Sequence, residues 1–248
     1  GLELAIGDQG VVNTELTQDE CEAIRRQIDE SGLTVETLAS GMAWAFNPIS
    51  DDADVRSQSL ALHKQALQRA AWLGCQALLV VPAVVRSPIA PQECIRYDIA
   101  LERVRESVSQ LLETATQVGV DLCLENVWNG LFYSPVELLN FIDSFNSDRL
   151  GVYFDVGNVL GYQGWPPHWI QLLGNRIKRV HIKDYQENFD WHGTYHFCDL
   201  LEGDVPWPET MAALKSIGYS GTIVAEMLPH SEGLLERTSK AMDKILAM

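Results

Sequence analysis

Basic side chains are scarce in this chain: 18 Lys and Arg stand against 34 Asp and Glu, a formal net charge of −16. Nucleic-acid binding depends on Lys and Arg neutralising phosphates, so this balance argues against a nucleic-acid partner and reads instead as a solubilising outer surface. Cysteine is sparse too. Cys21, Cys75, Cys94, Cys123 and Cys198 are scattered singly, without the paired spacing of a zinc site or the density of a disulfide scaffold, which fits a reducing compartment. No apolar run approaches the length of a membrane span, and no basic region followed by an apolar stretch opens the chain, so a cytoplasmic location without membrane association is expected. Repeats, linkers and low-complexity stretches are absent, and 248 residues is a routine length for one α/β barrel, so a single domain over 1–248 is expected.

What is present is a strict alternation of strand and helix. Strand-like runs lie at Leu2–Ile6, Thr34–Ser40, Ala77–Val81, Val120–Glu125, Gly151–Asp155, Arg179–Lys183 and Thr222–Glu226, with amphipathic helical patterns between them. Thr17-Gln-Asp-Glu20 reads as a capping box, Ser134-Pro135-Val-Glu137 as a helix start with proline at its first position, and Gly32 and Gly119 as helix stops. One long helix is expected from about Pro91 to Val118, with Leu101, Val104, Val108 and Leu112 as its core stripe. These features predict an α/β fold of the TIM (β/α)8 type. Seven strands are counted where a closed barrel has eight, and the chain opens directly on one of them. The first βα unit is therefore expected to be missing, either because the chain starts late or because the barrel is shortened with its edges covered by other elements.

Four of the strands end in residues able to bind a metal: Leu-Cys-Leu-Glu125, Val-Tyr-Phe-Asp155, Arg-Val-His181 and Ile-Val-Ala-Glu226, separated by roughly 30, 26 and 45 residues, about a strand, a helix and two loops each. In a parallel barrel the C-terminal strand ends open on one face, where polar residues read as catalytic. Side chains alternate across a strand, so Cys123 and Glu125 share a face, as do Tyr153 and Asp155, Arg179 and His181, and Val224 and Glu226. Acids at such positions are expensive without a cation, and a shared divalent ion supplies one. Three carboxylates, one imidazole and no thiolate favour Mn²⁺, with Mg²⁺, Co²⁺ or Zn²⁺ as alternatives. Such an ion stabilises the enediolate formed when a neighbouring C–H loses its proton. Glu125 and Glu226, on non-adjacent strands, are placed to act as base and acid from opposite sides of a substrate, and removal on one face with return on the other is epimerisation.

The strings Glu125-Asn126-Val-Trp128-Asn129, Phe154-Asp155-Val-Gly-Asn158-Val-Leu160, His181-Ile-Lys183-Asp184, Leu201-Glu202-Gly203-Asp204-Val-Pro-Trp207 and Ala225-Glu226-Met227 resemble the sugar phosphate isomerase/epimerase group of the xylose isomerase-like TIM barrels. The similarity extends over nearly the whole chain. It implies one divalent metal on Glu125, Asp155, His181 and Glu226, with the two glutamates as the proton-transfer pair. The free ketose 3-epimerases of that group usually carry a His three residues after the metal Asp, an Arg six after the metal His and a Glu six after the first metal Glu; this chain has Asn158, Glu187 and Leu131 there. The Asp-Val-Gly-Asn and His-Ile-Lys-Asp strings are more similar to the pentulose and hexulose phosphate 3-epimerases, so the expected substrate is a phosphorylated ketose.

Candidate substrate contacts are Trp128, as an apolar wall; Asn158; Lys183, the only cation close to the acidic loop that follows His181; and Glu3, read as another strand-end acid. His192 and His196 lie with Trp191 and Tyr195 in a stretch suited to a lid, although loop packing is the commoner role for such residues. The resemblance also covers hydroxypyruvate isomerases, inosose dehydratases and trinuclear zinc AP endonucleases. The last need more imidazole ligands and a basic face. A dehydratase-like lyase shares the metal and the first base and remains an alternative, as does a non-catalytic sugar-binding barrel. A homo-oligomer, at least a dimer, is expected.

Overall fold

The computed structural model describes residues 1–87, 93–187, 196–227 and 230–248. In chain order its elements are β1 (Leu2–Ile6), α1 (Gln18–Glu30), β2 (Val35–Ser40), α2 (Ala53–Trp72), β3 (Ala77–Val80), α3 (Tyr97–Val118), β4 (Asp121–Glu125), α4 (Pro135–Asp143) and β5 (Leu150–Asp155). They continue with α5 (Val156–Gly161), α6 (Pro166–Leu173), β6 (Ile177–Ile182), β7 (Asp184–Gln186), β8 (His196–Cys198), α7 (Trp207–Ser216), β9 (Ile223–Ala225) and α8 (Leu234–Leu246). Seven strands form one sheet in the order β1-β2-β3-β4-β5-β6-β9, and β7 and β8 pair separately as an antiparallel ribbon. None of the described helices is long and apolar enough to cross a membrane.

The chain divides into two compact units. The first comprises Gly1–Glu125, Asn129–Phe132 and Phe141–Gly151. Its strands β1 to β4 are parallel, and Leu38, Leu78 and Leu122 stand in register with their side chains fully buried. Burial on both faces is what turns such strands into continuous apolar runs, as in Ala-Leu-Leu-Val of β3. The capping box at Thr17 forms as expected: the Glu20 N–H donates to Thr17 Oγ1, and the Thr17 N–H donates to Glu20 Oε2 at 2.8 Å. Gly119 ends α3 in the left-handed region at φ 76°.

Three expectations in this unit need correction. Helix α3 starts at Tyr97 rather than near Pro91, which lies outside the described residues. Residues 93–96 are drawn away from helix by tertiary bonds, since Glu93 accepts from Ser50 Oγ at 2.5 Å and from the Asp51 N–H at 3.0 Å, and the Ile95 N–H donates to the Val85 carbonyl at 2.9 Å. The buried stripe of α3 is Ala100, Val104, Val108, Leu111 and Ala115, rotated slightly from the one expected, with Leu101 and Leu112 at its half-buried margin. Glu3 does not end a strand. It is the second residue of β1, in register through Thr37 and Ala77 with Asp121 at the start of β4, which sets it roughly 13 Å along the strand direction from the level of Glu125. Its carboxylate accepts from Thr37 Oγ1 at 2.7 Å.

The second unit comprises Asn126–Trp128, Tyr133–Asn140 and Val152–Met248. Within it β5, β6 and β9 are parallel, with Asp155 opposite His181 and His181 opposite Val224. Helix α4 begins as its sequence predicts, the Glu137 N–H donating to Ser134 Oγ at 3.2 Å. The β7–β8 ribbon falls where a lid was expected. His196 is the exposed first residue of β8, while Trp191, His192 and Tyr195 lie outside the described residues.

Candidate functional site

Asp155 is both the last residue of β5 and the N-cap of α5, and it is fully buried. A carboxylate is a favoured cap because it accepts the otherwise orphaned N–H groups of the first turn, and Oδ1 accepts the Asn158 N–H at 2.8 Å. Asn126, directly after β4, accepts the Asp155 N–H at Oδ1 and donates from Nδ2 to the Asp155 carbonyl, both at 2.8 Å. The glycine of Asp-Val-Gly-Asn is required by space. A Cβ on Gly157 would lie 2.7 Å from the Lys183 carbonyl oxygen and the same distance from Lys183 Cγ, so only glycine lets α5 start this close to the chain leaving β6.

His181, on the neighbouring strand, rests its ring on Tyr153 with centroids 4.4 Å apart. Glu226 directly follows β9, and its N–H continues the ladder by donating to the Ile182 carbonyl at 3.0 Å. Lys183 sets its ammonium 2.5 Å from Glu226 Oε2 and 3.0 Å from Asp155 Oδ2, while His181 Nδ1 faces Glu226 Oε2 at 3.7 Å. Burial pushes the Asp155 carboxyl above its ordinary value against the pull of Lys183. Burial pushes Glu226 the same way, but Lys183 and His181 together hold it below the usual carboxylate value.

Glu125 closes β4 as a buried acid. Together Glu125, Asp155, His181 and Glu226 offer one ligand atom each, and these atoms all lie within 4.8 Å of one another. The donor set fits a hard or borderline divalent cation, three oxygens and one nitrogen without sulfur. Asp155 Oδ2 supports the same fit: it is buried and accepts no well-formed hydrogen bond, its charged neighbour being the Lys183 ammonium. Such a cluster can hold a cation, and its carboxylates can take up and release protons.

The expected substrate contacts separate in the structure. Trp128 forms an aromatic wall, stacked on Phe197 at 5.0 Å and 14° and edge-on to Tyr185 at 5.5 Å. Its indole N–H donates to the Asn158 carbonyl at 2.9 Å. Lys183 Nζ lies 4.9 Å over the Phe197 ring, and a small cavity is lined by Lys183, Phe197, Cys198, Glu226 and Met227. Asn158 is turned to the backbone, its Nδ2 donating to the Asn126 carbonyl at 2.9 Å. Glu3 stands at the opposite end of its strand, as described above. Two residues that organise this region, Asn126 and Asp184, were not singled out by the sequence. Their signal was their position immediately after a strand.

The family model described as Xylose isomerase-like TIM barrel matches residues 1–246. The chain is 24% identical over 241 residues to the L-ribulose-5-phosphate 3-epimerase UlaE of Escherichia coli O1:K1 / APEC, covering 97% of this chain and 81% of that one. Among solved structures, a D-tagatose 3-epimerase-like protein superposes with a TM-score of 0.79 at 20% identity, over 99% of this chain and 87% of its own. The D-psicose 3-epimerase of Clostridium cellulolyticum H10 with D-tagatose gives 0.77 at 22% identity, over 93% and 85%. At these identities the structural likeness speaks for the fold: seven parallel-barrel strands with their helices.

Proposed function

Because the chain belongs to the xylose isomerase-like TIM barrel family, we propose that it is a metal-dependent sugar epimerase or isomerase, acting on a ketose phosphate by 3-epimerisation. The observation that carries this reading is the convergence of Glu125, Asp155, His181 and Glu226 within 4.8 Å. These four residues would hold one divalent ion, with Mn²⁺ preferred over Mg²⁺, Co²⁺ and Zn²⁺. The ion supplies Lewis-acid polarisation of the substrate's carbonyl and hydroxyl oxygens. Glu226, kept anionic by Lys183, serves as one member of the proton-transfer pair and Glu125 as the other. One removes the proton next to the carbonyl, and the other returns it on the opposite face, inverting that carbon. Lys183 would meet a substrate oxygen beside the acids, and the Trp128–Phe197 wall would offer an apolar face to the C–H side of a sugar and help to keep water away. The likeness to a ribulose-phosphate epimerase over 97% of the chain supports a phosphorylated substrate.

Solvent-deuterium incorporation into a panel of ketoses and ketose phosphates, followed by NMR with Mn²⁺ added and then chelated, tests the reading. The expected result is metal-dependent label at one carbon, reduced by about 10²–10⁴ in Glu125→Gln and in Glu226→Gln. Absence of label from every member, with metal shown to be bound, overturns it. A dehydrated product instead of a labelled ketose moves the reaction to the lyases.

A further inference from the structure

Asp184 begins β7 directly after Lys183, and its carboxylate is fully buried. Four donors meet it. Oδ1 accepts the N–H groups of Tyr185 at 2.9 Å and Val205 at 3.2 Å, while Oδ2 accepts the Leu201 N–H and the Trp207 indole N–H, both at 2.9 Å. Three of these come from the stretch that carries the chain from β8 into α7. That stretch is shaped around the carboxylate. A Cβ on Gly203 would stand 2.1 Å from Asp184 Oδ1 and 2.7 Å from the Tyr185 nitrogen, and Leu201 adopts φ 72°, a region that residues other than glycine rarely occupy. Further bonds stitch the same two segments: the Asp204 N–H donates to the Tyr185 carbonyl at 2.9 Å, and Gln186 Nε2 to the Glu202 carbonyl at 3.0 Å.

Asp184 also pairs across the ribbon with Cys198, and Tyr185 with Phe197. The ring of Phe197 thus reaches Lys183 and Trp128 from a strand whose exit is tied to Asp184. We propose that Asp184 is the positioning residue for the aromatic wall of the site: by gathering the donors of residues 201–207 it fixes where β8 lies, and so holds the Phe197 ring over the Lys183 ammonium. The inference deepens the proposed epimerase reading and rests on it for its kinetic consequence alone. An ordinary fold-stabilising aspartate would lower stability without moving the ring relative to the site. A positioning aspartate shifts the ring and weakens substrate binding in a protein that remains folded.

The experiment places 4-fluorophenylalanine at position 197 of the full chain and records its ¹⁹F resonance in the parent and in Asp184→Asn, alongside amide hydrogen exchange and the KM and kcat for L-ribulose 5-phosphate. Asparagine keeps the shape but turns an NH2 group toward two of the four donors. The expected result is a displaced or split ¹⁹F signal, lost protection at Leu201 and Val205 with β5 and β6 still protected, and KM raised about tenfold with kcat changed much less. Trp207→Phe, which removes one donor only, should move the signal in the same direction by less, and it decides the matter if Asp184→Asn does not fold. An unmoved resonance, a loss of protection spread evenly over the chain, or a moved ring with KM unchanged overturns the proposal. If the parent turns over no ketose phosphate, the epimerase reading fails, and the ¹⁹F and exchange results still decide whether Asp184 sets the ring.

Discussion

Asp155 and Asp184 are both fully buried aspartates, and both end or follow an apolar strand, yet their carboxylates are treated in opposite ways. Asp184 receives four hydrogen-bond donors, two on each oxygen. Asp155 receives a backbone N–H on one oxygen and turns the other to an ammonium among further acids. A buried carboxylate surrounded by fixed N–H groups is a structural member, because its charge is already solvated by the fold. One left facing an ammonium and further acids depends on its neighbours' charges for its balance. The difference lies in what the neighbours contribute and not in the residue or its burial.

The largest effect is expected from exchanging the two acids for amides. Asp155→Asn should weaken divalent-metal binding by more than about 100-fold, beyond what is typical for losing a group behind the ligands. Asp184→Asn should leave metal affinity within a few-fold but lower stability by about 2–5 kcal/mol, since two buried donors lose their acceptor. Metal titration by calorimetry and urea denaturation of both variants give the four numbers, and metal loss of equal size in both would erase the distinction. Next comes Gly157, packed against Lys183, the charged neighbour of Asp155. Gly157→Ala forces a Cβ against the Lys183 carbonyl oxygen at 2.7 Å, so a loss of about 1–3 kcal/mol is expected, with a parallel loss of deuterium exchange as Lys183 is displaced. Unchanged exchange in a destabilised Gly157→Ala protein would separate Lys183 from the chemistry.

The smallest effect concerns a second pair, the buried imidazoles His63 and His181. His63 lies in α2, its Nδ1 2.8 Å from the Ser59 carbonyl, and burial pushes its pKa down. Above the unfolded value of about 6.5 both states hold it neutral and it contributes no pH dependence. Below that value the unfolded chain takes up a proton that the folded chain refuses, so stability falls as pH falls, by up to about 1.4 kcal/mol per pH unit until the folded pKa is reached. His63→Gln should flatten this slope in denaturation curves taken between pH 7 and pH 5, and a slope retained in the variant would assign it to other groups.

Much of this was legible in the sequence. All seven sheet strands stand within a residue or two of their expected positions, and β3, β4 and β5, buried along nearly their whole length, write themselves as apolar runs. The four residues of the buried cluster were legible for the converse reason: a charged group at the end of such a run has few cheap explanations. What the sequence could not distinguish was the fate of acids that look alike in one dimension. Asp184 ends a string resembling the one that ends in Asp155, and its donors come from as far as Trp207. Glu3 read as a strand-end acid although the run it belongs to reaches Ile6, and pairing in register places it near the start of β1 instead. The early start given to α3 failed because Glu93 is held by Ser50 and Asp51, more than forty positions away.

Asn126 carries a consequence of another kind. Its side-chain amide presents one donor and one acceptor to Asp155, the same pair of groups that a peptide unit of a neighbouring strand would present. In effect the residue carries a spare peptide group on a short arm. The main chain can therefore leave the sheet after Glu125 and turn toward Trp128 while the N–H and carbonyl of Asp155 are still answered. Both backbone groups of Asp155 are thus met by a side chain where the neighbouring strand has already ended.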